Sequence, residues 1–213
     1  MKDAFRRYHH IVWDWNGTLL DDRLVCLDII NGSLARRSLP TVTLEIYLDL
    51  FEFPVVDYYR KLGFDFDKES FEVVGREFMT EYGGRMLGCP LQKGARELLE
   101  GLHRQGVRQT VLSALDARLL APSIDHFGLR EFFDKVWGLS DSLAAGKIEL
   151  GRQMIAEAGV PAAGTLMVGD TTHDFETARA LGIDCLLMAA GHNSRPRLEA
   201  CGVPVVGGLE ELL

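Results

Sequence analysis

Ile11-Val12-Trp13-Asp14-Trp15-Asn16-Gly17-Thr18-Leu19 is the stretch that decides the fold. A short apolar run ends in a carboxylate, and an Asn-Gly turn with a hydroxyl residue follows at once. This is the pattern of a buried strand that delivers Asp14 to its exposed end. Read alone, Asp14 suits a turn cap as well as it suits a reactive group. Its distant neighbours in sequence decide between the two.

C-terminal to Leu19 the pattern turns helical and stays so to about residue 87. Val55, Val56, Tyr59 and Leu62 form an apolar stripe bounded by Pro54 and Gly63, and Phe71, Val74, Phe78 and Tyr82 recur at helical spacing. The spacing predicts a compact helical insertion over 21–87 with its own small core, joined to the rest near 20–22 and 83–90. From Pro90 onward, strand-like runs alternate with amphipathic helices. Ala95, Leu98, Leu99 and Leu102 mark a helix, 109–113 a strand, and a helix follows through Leu119 and Leu120. Residues 136–138 make a short strand candidate, 150–158 a helix, 165–169 a clear strand, 175–181 a helix, 185–188 a strand and 203–206 a last short one. The alternation predicts an α/β protein whose core, 1–20 and 88–213, is a Rossmann-like, mostly parallel sheet with helices on both faces.

The 213 residues are 47% hydrophobic and 25% charged, which suffices for one sizeable core and a smaller second unit. A net charge of -8 argues against nucleic acid or an anionic membrane as partner, while leaving room for a small anion held by local Lys or Arg. No run is long and apolar enough to span a bilayer, and the first ten residues carry charges without an apolar leader core. A cytoplasmic monomer or homodimer is expected. Cys26, Cys89, Cys185 and Cys201 are scattered, with no CxxC pair, and are expected as reduced, mostly buried thiols.

Ligands of such sheets bind beyond the C-terminal strand ends, which singles out Asp14, Ser113 and Asp170, with Lys147 in the loop after the weaker strand. Gly169-Asp170-Thr171-Thr172-His173-Asp174 follows the strongest strand and precedes a helix. Two carboxylates four residues apart suit a hard, oxygen-preferring cation such as Mg2+, although Asp174 also suits a helix N-terminus. A carboxylate nucleophile, a hydroxyl, an amine and a metal-binding acidic pair together supply what phosphoryl transfer requires.

Asp14-Trp-Asn-Gly-Thr-Leu, Ser113, Lys147 and Gly169-Asp170-Thr-Thr-His-Asp174 resemble the four ordered motifs of the haloacid dehalogenase-like hydrolase superfamily, particularly its phosphoglycolate-phosphatase-like branch. The resemblance covers nearly the whole chain and implies that the helical insertion is a mobile cap closing over the substrate. It also implies Mg2+-dependent hydrolysis of a small phosphorylated metabolite through an aspartyl-phosphate on Asp14. Ser113, with Ala114 beside it, and Lys147 would bind phosphate oxygens, and Gly17 and Thr18 would shape the turn. Asp170 would hold the metal together with Asp14 and the backbone carbonyl of Asn16, while Asp174 would ligate it or orient Lys147. Tyr58, Tyr59, Arg60 and Lys61 are candidate substrate contacts from the cap.

One position departs from the family's phosphatases. The residue two after the nucleophile is there an aspartate acting as general acid and base, and here it is Asn16. An amide exchanges no proton at useful pH, and a positioned acid contributes about 10²–10⁴ in rate. Either the leaving group needs little protonation, or another acid such as His173 or His192 serves. Deamidation at Asn16-Gly17 is a further route to a carboxylate. The chain also resembles phosphonoacetaldehyde hydrolases, which use a cap lysine as Schiff base, for which Lys61 and Lys68 are the candidates. A phosphate-binding or regulatory protein without turnover is the non-enzymatic reading.

Overall fold

The computed structural model describes residues 5, 7–140, 146–159 and 161–213, and of residue 158 only the backbone. All four residues of β1 (His10–Trp13) are buried, because this strand lies mid-sheet with helices on both faces. Around it β2 (Arg108–Asp116), β3 (Lys135–Leu139), β4 (Thr165–Gly169), β5 (Asp184–Met188) and β6 (Val205–Val206) pair in parallel, in the order β3-β2-β1-β4-β5-β6. Trp13 sits opposite Val111 on one side and Val168 on the other. The chain winds one way from β1 through β2 to β3 and the other way from β4 to β6. The crevice beyond β1 and β4 is therefore the topological switch point, where ligands of such sheets bind.

Alternate residues along the strands serve opposite faces. Ile11, Trp13, Val111, Leu166, Val168, Leu186 and Met188 join one apolar cluster. Val12, Leu112, Met167, Cys185 and Leu187 join a second, with Met154 and Ala178 of α7 (Lys147–Ala158) and α8 (Thr172–Leu181). The first face is covered by helices including α5 (Ala95–Arg104) and α6 (Ala117–His126). A short α9 (Arg195–Glu199) follows β5.

Between β1 and α5 run four α-helices: α1 (Arg23–Arg36), α2 (Leu44–Leu50), α3 (Val55–Lys61) and α4 (Phe71–Arg85). The two connections lie side by side, with Asp21 N donating to Pro90 O (2.9 Å) and Gln92 N to Leu19 O (2.9 Å). Helix α1 buries Cys26, Ile29, Ile30, Ser33 and Leu34, and α4 buries Val74 and Tyr82, each on one helical stripe. The sequence predicts a separate small core here. Instead Ile29, Ile30, Tyr47, Tyr58, Val74 and Tyr82 run into the same cluster as Trp13 and Leu98, by way of Leu19, Leu20 and Met86.

Three boundaries differ from the expectation. Strand β2 extends to Asp116, with a register shift against β3 between Leu112 and Asp116, so Ser113 lies inside the irregular part rather than at its end. Lys147 is not a loop residue but the first residue of α7, behind Gly146 as N-cap. Helix α8 begins at Thr172 because Thr171 and Asp174 form a reciprocal capping box.

Candidate active site

The strand ladder places Asp14. Its N–H donates to Val168 O (2.9 Å), extending the β1–β4 pairing one residue past Trp13 and fixing the backbone from which the carboxylate projects. Lys147, entering from α7, donates from Nζ to Asp14 Oδ1 and to Asp174 Oδ1 (2.6 Å). The other oxygen of Asp174 accepts from Thr171 Oγ1 (2.7 Å), Thr171 N (2.9 Å) and Asp170 N (3.1 Å). Asp170, directly after β4, accepts from Thr18 Oγ1 at Oδ1 (2.7 Å) and from His192 N at Oδ2 (2.7 Å). Asp14, Asp170 and Asp174 are buried, and each can offer one oxygen within 4.8 Å of the others.

The packing leaves no slack around Asp170. Gly17 has φ +75°, and a Cβ there would fall 2.3 Å from Asp170 Oδ2. A Cβ on Gly191 would come within 2.2 Å of the same oxygen. Both positions accept only glycine while Asp170 stays in place.

Three buried carboxylates face one ammonium, so the cluster holds surplus negative charge. Burial pushes the Asp14 carboxyl well above its usual range, with Asp174 and Asp170 adding to the shift and Lys147 opposing it. Burial likewise raises Asp170, against the pull of charged His192, to about 6. Burial acts upward on Asp174 too, but Lys147 and the Thr171 hydroxyl outweigh it and hold this carboxyl low. The Lys147 ammonium is lowered by burial and raised by more through Asp14 and Asp174. Oxygen-only donors with excess negative charge are the donor set of a hard divalent cation, so the residues fit Mg2+.

A second polar cluster adjoins the first. The carboxylate of Asp22, fully buried just ahead of α1, accepts one hydrogen bond from the Cys26 thiol (3.8 Å, on Oδ2) and four from nitrogen and oxygen donors. The four come from Gly17 N (2.9 Å) and His192 Nε2 (3.0 Å) on Oδ1, and from Asn16 Nδ2 (2.8 Å) and Tyr82 Oη (2.6 Å) on Oδ2. Asn16 Nδ2 also donates to Tyr82 Oη, and His192 Nδ1 pairs with Tyr47 Oη (2.8 Å). Burial would lower His192, but Asp22, then Asp170 and Asp14, outweigh it and raise the imidazole to about 9. Burial would raise Asp22, and His192 with the donors of Tyr82 and Asn16 brings it below its usual range. His192 is thus an imidazolium with both N–H groups used.

The structure brings Asp14, Thr18, Lys147, Asp170 and Asp174 into one cluster, with Asn16 at its edge. Thr18 spends its hydroxyl on Asp170. Ser113, one strand over from Asp14, is buried, and its Oγ accepts from Leu115 N (3.1 Å), leaving its O–H to donate; Ala114 is half-buried beside it. The four cap candidates are not brought to the cluster. Arg60 is exposed and pairs with Asp57 (2.6 Å), Lys61 pairs with Glu52 (2.6 Å), and the rings of Tyr58 and Tyr59 are buried among aromatic neighbours. Lys68 pairs with Asp65 at the surface (2.8 Å). His173 lies flat on Phe53, ring centroids 4.6 Å apart, with Nδ1 3.6 Å from Glu176.

Sequence reasoning missed Asp22, Tyr82 and Tyr47 as neighbours of the site. Tyr82 was visible only as part of a helical stripe, and Asp22 only as a junction residue.

A family model described as haloacid dehalogenase-like hydrolase matches residues 11–188. The chain belongs to this hydrolase family, and its likeness within it is to the phosphoglycolate-phosphatase-like branch. It is 28% identical over 214 residues to a phosphoglycolate phosphatase of Pseudomonas fluorescens, covering 95% of this chain and 78% of that one. It is 28% identical over 207 residues to a 5'-nucleotidase of Pseudomonas aeruginosa, covering 94% and 91%. A haloacid dehalogenase-like hydrolase from Streptococcus pneumoniae has the same fold, with a TM-score of 0.84 at 17% identity over 97% of both chains. No helix among the described residues is long and apolar enough to cross a membrane.

Proposed function

We propose that this chain is a Mg2+-dependent phosphatase that hydrolyses a small phosphomonoester through an aspartyl-phosphate on Asp14, with 21–87 acting as the cap. The observation that carries the reading is the carboxylate of Asp14 at the switch point of the sheet, bonded to Lys147 and gathered with Asp170 and Asp174. Asp14 is the nucleophile and Lys147 keeps it in place. Of the three ammonium donors of Lys147, two go to Asp14 and Asp174, and the third is free to take a phosphate oxygen. Ser113 donates its O–H to another oxygen. Asp174 orients Lys147 through Oδ1 and caps α8 through Oδ2.

Mg2+ would be held by Asp14, Asp170 and the Asn16 carbonyl, with Asp174 behind them, and would supply positive charge to the transferring phosphoryl group. The names of the relatives put a phosphoglycolate-like acid and a 5'-nucleotide first among substrates to try. The test is phosphate release from a panel of phosphomonoesters with and without Mg2+, by the protein and by Asp14→Asn. Turnover should require Mg2+ and fall by roughly 10⁴-fold or more in the variant. Acid-quenched protein should carry an alkali-labile phosphate that Asp14→Asn lacks. Full activity of Asp14→Asn overturns the mechanism.

A further inference from the structure

Two features near Asp14 bear on what the scissile oxygen leaves as. The first is the state of Asn16. Its Nδ2 is committed to Asp22 Oδ2 and Tyr82 Oη, so the side chain has no titrating proton to hand to a departing oxygen. The bonds also make deamidation an unfavourable route to a carboxylate. That reaction needs the Gly17 nitrogen to attack the Asn16 amide, and here the Gly17 N–H is held on Asp22 Oδ1. His192 does not substitute for the missing acid, because Nε2 is on Asp22 and Nδ1 on Tyr47.

The second feature is the aromatic wall that the insertion brings to the site. Phe53 stacks on His173, the residue before Asp174, at 4.6 Å and 24°. Phe51 stacks one face on Tyr47 at 5.5 Å and packs on Phe53 at 5.6 Å, on Tyr58 at 5.3 Å and on His192 at 5.4 Å, and the His192 backbone holds Asp170. Phe51 and Phe53 each keep part of their surface open, while Arg60 and Lys61 of the same insertion turn to surface carboxylates. The guanidinium of Arg197 is spent on the carbonyls of Leu48 and Phe51. What the insertion places beside His173 and His192 is thus the partly open rings of Phe53 and Phe51 rather than cations.

We propose that the substrates are aryl phosphates, in which the phosphoryl group is esterified to a phenolic oxygen whose ring lies against Phe51 and Phe53. The inference rests on the phosphatase reading above. A phenol ionises near the ~10 of tyrosine, whereas water, and alcohols with it, lie near ~15.7. A phenolate therefore departs without the proton that an alkoxide needs. In the first step Asp14 Oδ forms a bond to phosphorus, and the P–O(aryl) bond breaks with its electron pair staying on oxygen. The phenolate takes its proton from solvent. In the second step water oxygen bonds to phosphorus, the P–O bond to Asp14 breaks to restore the carboxylate, and the protons of water leave on the phosphate.

The test compares kcat/KM of the Mg2+-loaded protein on phenyl phosphate, acetyl phosphate, phosphoglycolate and adenosine 5'-monophosphate. Phenyl phosphate should exceed both alkyl esters by about 10²–10⁴, the contribution of a general acid. It should also show a lower KM than acetyl phosphate, which has an easy leaving group but no ring. Phe53→Leu should raise KM for phenyl phosphate by roughly threefold to tenfold. The proposal is overturned if either alkyl ester matches phenyl phosphate, if acetyl phosphate binds as well, or if Phe53→Leu leaves KM for phenyl phosphate where it was. Absence of phosphate release from every ester would instead overturn the phosphatase reading itself.

Discussion

Two buried carboxylate clusters meet at a single hydrogen bond, from His192 N to Asp170 Oδ2 (2.7 Å), and they differ in what they leave unfinished. Around Asp22, one carboxylate meets one imidazolium, and four N–H and O–H donors with the Cys26 thiol fill its oxygens. Around Asp14, three carboxylates share one lysine, and burial raises two of them. A satisfied network holds its neighbours still, whereas a cluster with surplus charge invites a cation and a reacting group. The first fixes the Asn16–Gly17 turn, and the second uses the position that turn defines.

The same change of charge therefore has opposite consequences in the two clusters. Asp22→Asn leaves a buried imidazolium without its counter-charge and should cost about 3–5 kcal/mol. For a chain of this length that lowers the melting midpoint by roughly 10 °C. Asp14→Asn removes one of three repelling carboxylates and should leave the midpoint unchanged or higher while turnover is lost. Thermal unfolding of the two variants in the absence of Mg2+ decides the matter. A larger loss of stability in Asp14→Asn would invert the comparison.

Two histidines sharpen it further through pH. His10 in β1 is buried with Nε2 2.8 Å from Thr110 Oγ1, and burial, helped by Arg108, lowers it to about 4. His192 is raised to about 9 by its carboxylates. Relative to an unfolded value near 6.5, the lowered group stabilises the fold above pH ~6.5, and this is lost as pH falls toward 4. The raised group stabilises it below pH ~6.5, and this is lost as pH climbs through 9. Each contribution is about 3 kcal/mol at full extent. Midpoints followed from pH 4 to 10 in a metal chelator should lose the alkaline slope in His192→Gln and the acid slope in His10→Gln.

The surplus charge can be read out without turnover. Saturating Mg2+ at about 100 times its dissociation constant should raise stability by about 2.7 kcal/mol, and Asp170→Asn should remove that gain. A Mg2+ shift that survives in Asp170→Asn but vanishes in Asp22→Asn would move the cation to the other cluster, where Asp22, Cys26 and His192 also converge.

The sheet was legible because each central strand is an apolar run ended by a chemically distinct residue: Trp13 then Asp14, Val168 and Gly169 then Asp170. The cluster on Asp14 followed from those ends, since a parallel sheet must gather them at one edge. Lys147 was found by order along the chain but placed in a loop, because Gly146 as N-cap gives little local signal. The network on Asp22 was not legible. Its partners lie 60 residues away in Tyr82 and 170 away in His192, and nothing in either local pattern specifies the pairing. The single core was equally hidden, since helical periodicity shows which face of α1 or α4 is buried but not against what.

The smallest expected effect is the most discriminating about how Asp22 works. Tyr82→Phe removes one of the four N–H and O–H donors to the carboxylate and the second acceptor of the Asn16 amide, yet keeps the ring that packs in the core. Asp22 retains Gly17, Asn16, His192 and the longer contact from Cys26 Sγ, and Asn16 retains Asp22. The loss should therefore be about 1–2 kcal/mol, the range of one hydrogen bond to a charged group, and well below that of Asp22→Asn. Were the network instead a chain in which each bond depends on the next, Tyr82→Phe would approach the full cost of losing Asp22. Measuring both variants and their double mutant separates these cases, because a double-mutant coupling close to the Tyr82→Phe loss itself means that the hydroxyl acts only through the carboxylate.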